Sequence, residues 1–242
     1  MIVQRRVGGI RLINQHDHGL LAGVFAQAWS QTRPFEEVLL AGLHDFAWQG
    51  VDTSPLFDPE SGLPHDFLTL PKGHRIAFYT QGIDALEEIS PFVAQMTSRH
   101  YVSIMGDAAP ESWRRSERQR QRRLHRPERG DMGGQLRWLQ FFDTLSLFFC
   151  MTPPSALGRG DLPAWLKPEV FTSALEGRRP TLRWQDDATL LMSPFLFRGD
   201  ALEVRLPCRD LSVSRFDGQT SMLDHLAEAR PVVWEVVVRP GP

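Results

Sequence analysis

Asp143 lies inside the most hydrophobic stretch of the sequence, residues 135–151. Aromatic and aliphatic side chains surround it at almost every helical position, so a helix here would be buried on all sides. A buried carboxylate without a partner is strongly unfavourable unless it takes up a proton. We therefore expect Asp143 to be compensated by a metal ion, by an arginine or histidine side chain, or by the N-terminus of a helix.

Three other apolar segments also carry histidine or carboxylate groups. His44 and Asp45 stand between two hydrophobic runs, so at least one of them points inward. His18 and His100 each continue an apolar helical face, because residues three or four positions apart share one side of a helix. The aligned residues are Leu21, Ala22, Phe25 and Trp29 for His18, and Ile89, Val93, Met96 and Ile104 for His100. Four segments thus direct nitrogen and oxygen ligands toward a core.

Imidazole and carboxylate groups together suit hard or borderline divalent ions such as Mn, Fe, Zn, Ni or Mg rather than soft metals. Helical bundles build metal sites from inward side chains of this kind on facing helices. The pattern therefore predicts a divalent metal ion as the cofactor. A structural alternative stays open, because a histidine and an aspartate that hydrogen-bond each other are both satisfied without a metal.

Periodicity and turn residues predict the elements that position these groups. Gly8-Gly9 predicts a tight hairpin turn, since glycine adopts positive φ angles. Alternation at residues 202–206 and the β-branched run 232–238 predict C-terminal strands that pair with this hairpin. The other predicted elements are strands at 2–7 and 10–13, helices at 17–29, 34–48 and 135–151, and one or two helices between 84 and 104, with Ser90-Pro91 as a cap. Residues 50–75, rich in glycine and proline, are predicted to form a long loop.

The order of the polar groups resembles a known superfamily. His18, then the dipeptide His44-Asp45, then Asp143 in an apolar helix resembles the HD-domain superfamily of metal-dependent phosphohydrolases over about residues 14–155. Most of the chain is also similar to an uncharacterised bacterial family, a domain of unknown function. The phrases that carry this similarity are Gln15-His16-Asp17-His18 with Gly23 and Trp29, His44-Asp45-Phe46-Ala47-Trp48-Gln49-Gly50-Val51-Asp52 with Pro55, and Pro194-Phe195.

The helical periodicity and the HD resemblance together imply a mainly helical fold. We expect an HD-like helical bundle with a small β-sheet formed by the N-terminal hairpin and the C-terminal strands. The expected domains are a hairpin at 1–14, an HD-like helical domain at 15–155, and a β-containing extension at 156–242 that packs on the helical core.

The resemblance also implies a role for the inward polar groups. His18, His44, Asp45 and Asp143 would bind one metal ion, with Asp45 as the catalytic residue. Dinuclear members of the superfamily add two histidines between the dipeptide and the last aspartate. His100 is the candidate for one of these further metal ligands.

His74 and His65 are weaker candidates for the remaining histidine, because neither lies on a clear apolar helical face. Asp52 and Arg99 are weak candidates for substrate binding, one from the loop that follows the dipeptide and the other from its position beside His100. Arginine suits this role because its planar guanidinium matches a phosphate group.

Three functions are consistent with this reading. The first is a metal-dependent phosphohydrolase acting on a nucleotide or another small phosphate ester, in which the metal ion activates water. The second is an HD-like di-iron oxygenase, which requires iron and six ligands. The third is a non-catalytic HD-like domain that binds a small ligand or a partner, through the arginine-rich segment 114–129 for example.

Composition narrows the choice of partners. The 27 basic and 29 acidic residues give a net charge of -2, so no global field attracts nucleic acid or an anionic membrane. Cys150 and Cys208 are too few for a disulfide framework, and no signal peptide or 18-residue apolar span is visible. We expect a cytoplasmic protein with a small phosphorylated substrate, no membrane or nucleic-acid partner, and self-association left open. The arginine-rich segment is expected to be a solvated helix or a mobile loop.

Overall fold

The computed structural model describes residues 1–127, 130–158, 162–166 and 175–242. The helices are α1 (Gln15–Ala28), α2 (Phe35–Leu43), α3 (Gln49–Thr53), α4 (Lys72–Ile89), α5 (Pro91–Met105), α6 (Glu111–Leu124), α7 (Met132–Met151) and α8 (Gln219–Glu228). The strands are β1 (Ile2–Arg6), β2 (Gly9–Ile13), β3 (Phe57–Asp58), β4 (Leu63–Pro64), β5 (Thr181–Asp186), β6 (Thr189–Ser193), β7 (Leu202–Leu211) and β8 (Val232–Pro240). Short 3-10 turns, such as Phe46–Trp48 after α2, connect some of these elements.

The fold is α+β, so the expectation of a mainly helical bundle with a small sheet is wrong. Half of the chain is helical, but a curled, mixed sheet of six strands runs in the order β1-β2-β7-β8-β6-β5. Strands β5 and β6 were not predicted from the sequence. In β6, Leu190, Leu191 and Met192 form a continuous apolar run without a period of two.

The N-terminal hairpin joins the C-terminal strands, as the sequence predicts. Strand β2 pairs antiparallel with β7, and Ile10 lies opposite Leu211. The hairpin turn is Val7-Gly8 rather than Gly8-Gly9, because Arg6 pairs with Gly9 and only Gly8 has the positive φ, at 83°. Gly9 is required for another reason: a Cβ atom there would collide with the carbonyl oxygen of Leu211.

One face of the sheet packs against α1 and α7. Alternate residues of β7 and β8 are buried, which is the pattern of strands with one covered face. The residues that form this layer include Val204, Leu206, Trp234 and Val236 from the sheet and Phe25, Phe148 and Phe149 from the helices. Because α1 carries His18 and α7 carries Asp143, the sheet fixes the two helices from which these polar groups project.

Helix α5 begins at the predicted cap, Ser90, whereas the cap of α7 and the start of α4 were not predicted. Ser90 accepts a hydrogen bond from the Val93 amide at the start of α5, and Asp131 accepts one from the Gly133 amide at the start of α7. Helix α4 begins at Lys72, inside the segment predicted to be a loop. Its inner face carries Arg75, Tyr79, Gly82, Ile83 and Leu86, a mixture too polar to show a clear apolar period.

Helices α1 and α2 approach each other through glycines, and this contact brings His18 close to the His44-Asp45 dipeptide. A Cβ atom at Gly23 would lie 2.8 Å from the Cα atom of Gly42, which is closer than carbon atoms pack. One turn earlier, a Cβ atom at Gly19 would lie 3.6 Å from Cβ of Asp45, an ordinary contact distance. The contact between the two helices therefore requires glycine at position 23, whereas position 19 has room for a Cβ atom.

The arginine-rich segment forms a solvated amphipathic helix, α6, in its described part. Trp113, Glu117 and Leu124 are buried, and the arginines lie on the outer face. Several are paired with acidic groups, including Arg114 with Asp107 at 2.7 Å. Cys150 and Cys208 are both buried, free thiols. None of the helices in the described residues combines the length and hydrophobicity that crossing a bilayer requires.

The glycine contact predicts opposite outcomes for two similar substitutions. Gly23→Ala should lower the free energy of unfolding by about 1–2 kcal/mol, because overpacking outweighs the gain in helix propensity. Gly19→Ala should leave stability unchanged or raise it by up to about 1 kcal/mol, since alanine favours the helix and the space exists. Urea denaturation of the two variants measures the difference; equal stabilities would contradict this account of the α1–α2 contact.

Candidate metal site

His18, His44 and Asp143 each offer one ligand atom to a common point, and these atoms lie within 4.8 Å of one another. His18 comes from the first turn of α1, His44 follows the last residue of α2, and Asp143 lies in the middle of α7. Both histidine side chains are fully buried, whereas Asp143 keeps 15% of its side-chain surface exposed. Three helices that are distant in sequence thus converge on one cluster.

His44 is held in one tautomer by its neighbour in the helix. Its Nδ1 atom lies 2.8 Å from the carbonyl oxygen of Ala41, which can only accept a hydrogen bond, so Nδ1 carries a proton. Its Nε2 atom is buried and makes no hydrogen bond to any described residue. The groups that face Nε2 are carboxylates, Asp143 Oδ1 at 3.3 Å and Asp45 Oδ2 at 3.8 Å.

His18 is oriented in a similar way. Its Nδ1 atom lies 2.9 Å from Ser146 Oγ, and Ser146 in turn donates to the carbonyl oxygen of Asp143 at 2.9 Å. Because the hydroxyl has one proton to give, this arrangement makes Nδ1 of His18 the donor. Its Nε2 atom then faces Asp45 Oδ2, at 2.9 Å. In both histidines Nδ1 is anchored and Nε2 is directed at carboxylate oxygens.

This geometry has two consistent chemical states. In one, the imidazole of His44 takes up a second proton and becomes a cation beside the carboxylates. In the other, the Nε2 atoms and the carboxylate oxygens would hold a metal ion, and the Nδ1 hydrogen bonds would be the outer ones that are usual for metal-bound histidines. Burial by itself lowers the pKa of His44, but the carboxylates of Asp45 and Asp143 outweigh it and raise the pKa to about 9.

Asp45 is the most strongly ionised group of the cluster. Burial alone would raise its pKa, but His44 and His18 together hold the pKa well below the ordinary value. Gln15 and His18 both hydrogen-bond its Oδ2 atom, each at 2.9 Å. Asp143 is similar: burial raises its pKa, and His44 with His100 lowers it below the usual range. The cluster therefore presents two carboxylates at neutral pH.

His100 lies at the edge of the cluster. Its Nε2 atom is 3.5 Å from Asp143 Oδ2, and its ring centre is 5.4 Å from that of His44. Its Nδ1 atom is buried and has no partner among the described residues. Burial lowers the pKa of His100, so the ring is neutral and keeps a lone pair for a ligand.

A cavity of about 220 Å³ opens beside the cluster. Asp45, His100 and Asp143 form its polar floor, which explains why Asp143 is not completely buried. The remaining walls are mostly aromatic and aliphatic, with a few polar groups. They comprise Gln15, Trp48, Phe67, Leu68, Lys72, Arg75, Tyr79, Ile104, Leu147 and Trp165. The cluster is therefore accessible to a small molecule.

The other sequence candidates lie elsewhere. Asp52 accepts a hydrogen bond from the His16 amide at 2.9 Å and pairs with the amino group of Met1 at 2.9 Å, so its carboxylate is engaged away from the cavity. Arg99 precedes His100 on α5 but is not among the residues that line the cavity. His65 contacts Thr69, and exposed His74 lines a separate groove.

Three residues of the site were missed in the sequence. Gln15 and Ser146 could have been found by helical spacing, since each lies three positions from a cluster residue and hence on its face. Gln15 precedes His18, and Ser146 follows Asp143. Arg75 could have been found only by placing the start of α4 correctly, because it lies in the segment predicted to be a loop.

The comparison with protein families identifies a family but assigns no activity to it. The model of a family described as "Protein of unknown function (DUF3891)" matches residues 1–213, a span that contains every residue of the cluster and the cavity. No curated protein and no solved structure matches the chain. The expected similarity to an uncharacterised family is thereby confirmed, whereas the HD resemblance stays a prediction. The chain belongs to the DUF3891 family.

Proposed function

We propose that the chain is a divalent-metal-dependent phosphohydrolase that acts on a nucleotide or another small phosphate ester. The observation that carries this proposal is the buried Nε2 atom of His44. The Ala41 carbonyl places one proton on Nδ1, so Nε2, which faces two carboxylates, can only carry a second proton or offer its lone pair to a metal ion. Nothing in the described residues donates to it, and a cation resolves the repulsion.

The donor set fits a divalent ion. His18 and His44 would supply Nε2 atoms, and Asp45 and Asp143 would supply carboxylate oxygens, a mixture that suits Mn, Fe, Zn, Ni or Mg. His100 is close enough to Asp143 to complete the set. When bound, such an ion lowers the pKa of water and neutralises charge on phosphoryl oxygens.

Asp45 has the geometry of the catalytic carboxylate. Gln15 donates a hydrogen bond to its Oδ2 atom, and the Nε2 atom of His18 faces the same oxygen, each at 2.9 Å. Its Oδ1 atom accepts no hydrogen bond from the described residues, so it can accept one from a water molecule in the cavity. The Oε1 atom of Gln15 is also buried and has no partner among the described residues, and it can orient that water. Gln15 thus acts as a positioning residue for Asp45.

A single metal ion is favoured over a di-iron centre. The di-iron alternative requires six protein ligands, and His65 and His74, the weaker histidine candidates, lie away from the cluster. The residues that converge within the described part of the chain are three histidines and two aspartates. This set is sufficient for one metal ion and falls short of the six ligands that a di-iron centre requires.

Metal content tests the site directly. Protein purified without chelator or a metal-affinity tag should hold about one equivalent of divalent metal, and His44→Gln should lose it because the Nε2 ligand is removed. His74→Gln, a change at an exposed histidine, is the matched control and should keep the metal. Elemental analysis of the three proteins gives the answer, and wild type that stays metal-free after incubation with Mn²⁺, Zn²⁺ or Fe²⁺ would refute the proposal.

The raised pKa of His44 predicts opposite pH trends for the metal-free and metal-bound forms. The imidazolium stabilises the metal-free protein below the ordinary pKa of 6.5, and this contribution is lost as pH rises through about 9. Metal binding displaces the same proton, so affinity should rise by about tenfold per pH unit between these values. Thermal unfolding with and without metal at pH 6.5, 7.5 and 8.5 measures both trends; an affinity independent of pH would show that His44 is not a ligand.

Phosphate release tests the chemistry. With its preferred metal the wild type should hydrolyse p-nitrophenyl phosphate or a member of a nucleotide panel, and Asp45→Asn should reduce the rate by about a hundredfold or more. Asp107→Asn, at a fully exposed aspartate, should leave the rate unchanged. A metal-loaded wild type with no activity on any phosphate ester would favour the non-catalytic binding domain instead.

A further inference from the structure

Two cations line the cavity beside the metal site. Lys72 and Arg75 come from the first turn of α4, on the wall that faces the floor formed by Asp45, His100 and Asp143. Lys72 is exposed at the mouth, where its amino group lies 3.5 Å from the carbonyl oxygen of Met105. Arg75 is deeper and 7% exposed. The two side chains give one wall of the cavity a positive charge.

Arg75 is a buried cation that is held by backbone carbonyl oxygens and by a cation–π contact with Trp48, 6.0 Å from the ring centre. Its Nε atom donates to the carbonyl oxygen of Leu70 at 3.2 Å, and its Nη2 atom donates to those of Leu70 and Phe67, each at 2.7 Å. These acceptors are neutral, and no carboxylate of the described residues forms an ion pair with Arg75. Since a buried charge is strongly unfavourable without a counterion, the fixed guanidinium calls for an anion in the cavity.

The charges around the cavity define the charge of that anion. The carboxylates of Asp45 and Asp143 balance Lys72 and Arg75 among the residues that line it. A divalent metal ion on the cluster then leaves an excess of two positive charges. A phosphate monoester carries two negative charges near neutral pH and neutralises this excess, whereas a diester carries one.

The remaining walls limit the organic part of the ligand. Trp48, Phe67, Tyr79 and Leu147 offer aromatic and aliphatic surface next to the cations. The volume of about 220 Å³ is smaller than the range of about 300–1,000 Å³ typical of sites for drug-sized ligands. A compact ester with a flat, apolar group fits this space.

We propose that Arg75, assisted by Lys72, forms an anion subsite that selects phosphate monoester dianions over diesters in the cavity beside the His18-His44-Asp143 cluster. This inference rests on the proposed function, because the metal ion supplies the excess charge. Arg75 holds the phosphoryl group with its fixed guanidinium, and Lys72 closes the mouth with a second positive charge.

Calorimetric titration with non-hydrolysable probes tests the subsite apart from catalysis. Metal-loaded wild type at pH 8 should bind phenylphosphonate, a dianion, at least tenfold more tightly than its monomethyl ester, a monoanion. Arg75→Gln should abolish this preference while keeping the metal, and Lys72→Gln should reduce it at least threefold. Arg115→Gln, which changes an exposed arginine on α6, is the control and should leave the preference intact.

The outcomes separate this inference from the proposed function. A metal-loaded wild type that binds both probes equally, or a folded Arg75→Gln variant that keeps the preference, overturns the anion subsite and leaves the metal site standing. If Arg75→Gln does not fold, Lys72→Gln decides, because its exposed side chain is not needed for folding: an unchanged preference overturns the subsite. A wild type that holds no metal contradicts the proposed function. The same titrations are then made with the metal-free protein: dianion binding that is lost in Arg75→Gln supports the subsite, and binding that is kept overturns it.

Discussion

The burial of two carboxylates among three helices is the constraint on which this structure depends. Asp45 and Asp143 are held ionised in an aromatic core, and the groups that compensate them are the imidazoles of His18 and His44. Such an arrangement is stable only while each partner stays in position, because removal of one leaves a buried charge unpaired. The Nδ1 anchors at Ala41 and Ser146 provide this positioning. The cluster therefore constrains how the three helices pack as well as which charges the core contains.

The helices that carry these groups are fixed by different means. Helices α1 and α2 approach through Gly23 and Gly42, which lets the backbones come closer than any side chain would permit. Helices α1 and α7 are instead held by the sheet, since Phe25, Phe148 and Phe149 pack in one core with β7 and β8. The sheet thus supports the cluster, even though it contributes no residue to it.

The sequence predicts the cluster best where a histidine or an aspartate interrupts an apolar helical face. His18, His44, Asp45, His100 and Asp143 could all be identified because each interrupts an apolar face, and the structure brings them together. The sheet was underestimated because β5 and β6 were missed, and β6 joins the rest of the sheet by pairing with β8, far along the chain. Arg75 was missed for a different reason: its helical face is polar, and the period that marks a buried helix is weak there. The pairing of remote strands and the burial of a charged side chain arise only when the core is assembled. Local sequence patterns therefore do not predict them.

The pairing of β2 with β7 has a consequence for the order in which the molecule assembles. Ile10 and Leu211 are neighbours in the sheet although about two hundred residues separate them along the chain. Contacts between such distant segments form slowly, since a long loop must close before they stabilise anything. Helix α1 follows β2 directly and packs on β7 as well as on α2 and α7, so it gains its full set of contacts only after this late closure. During synthesis α2, α5 and α7 emerge from the ribosome before β7, and the surroundings of His18 are therefore completed after the other members of the cluster have been made.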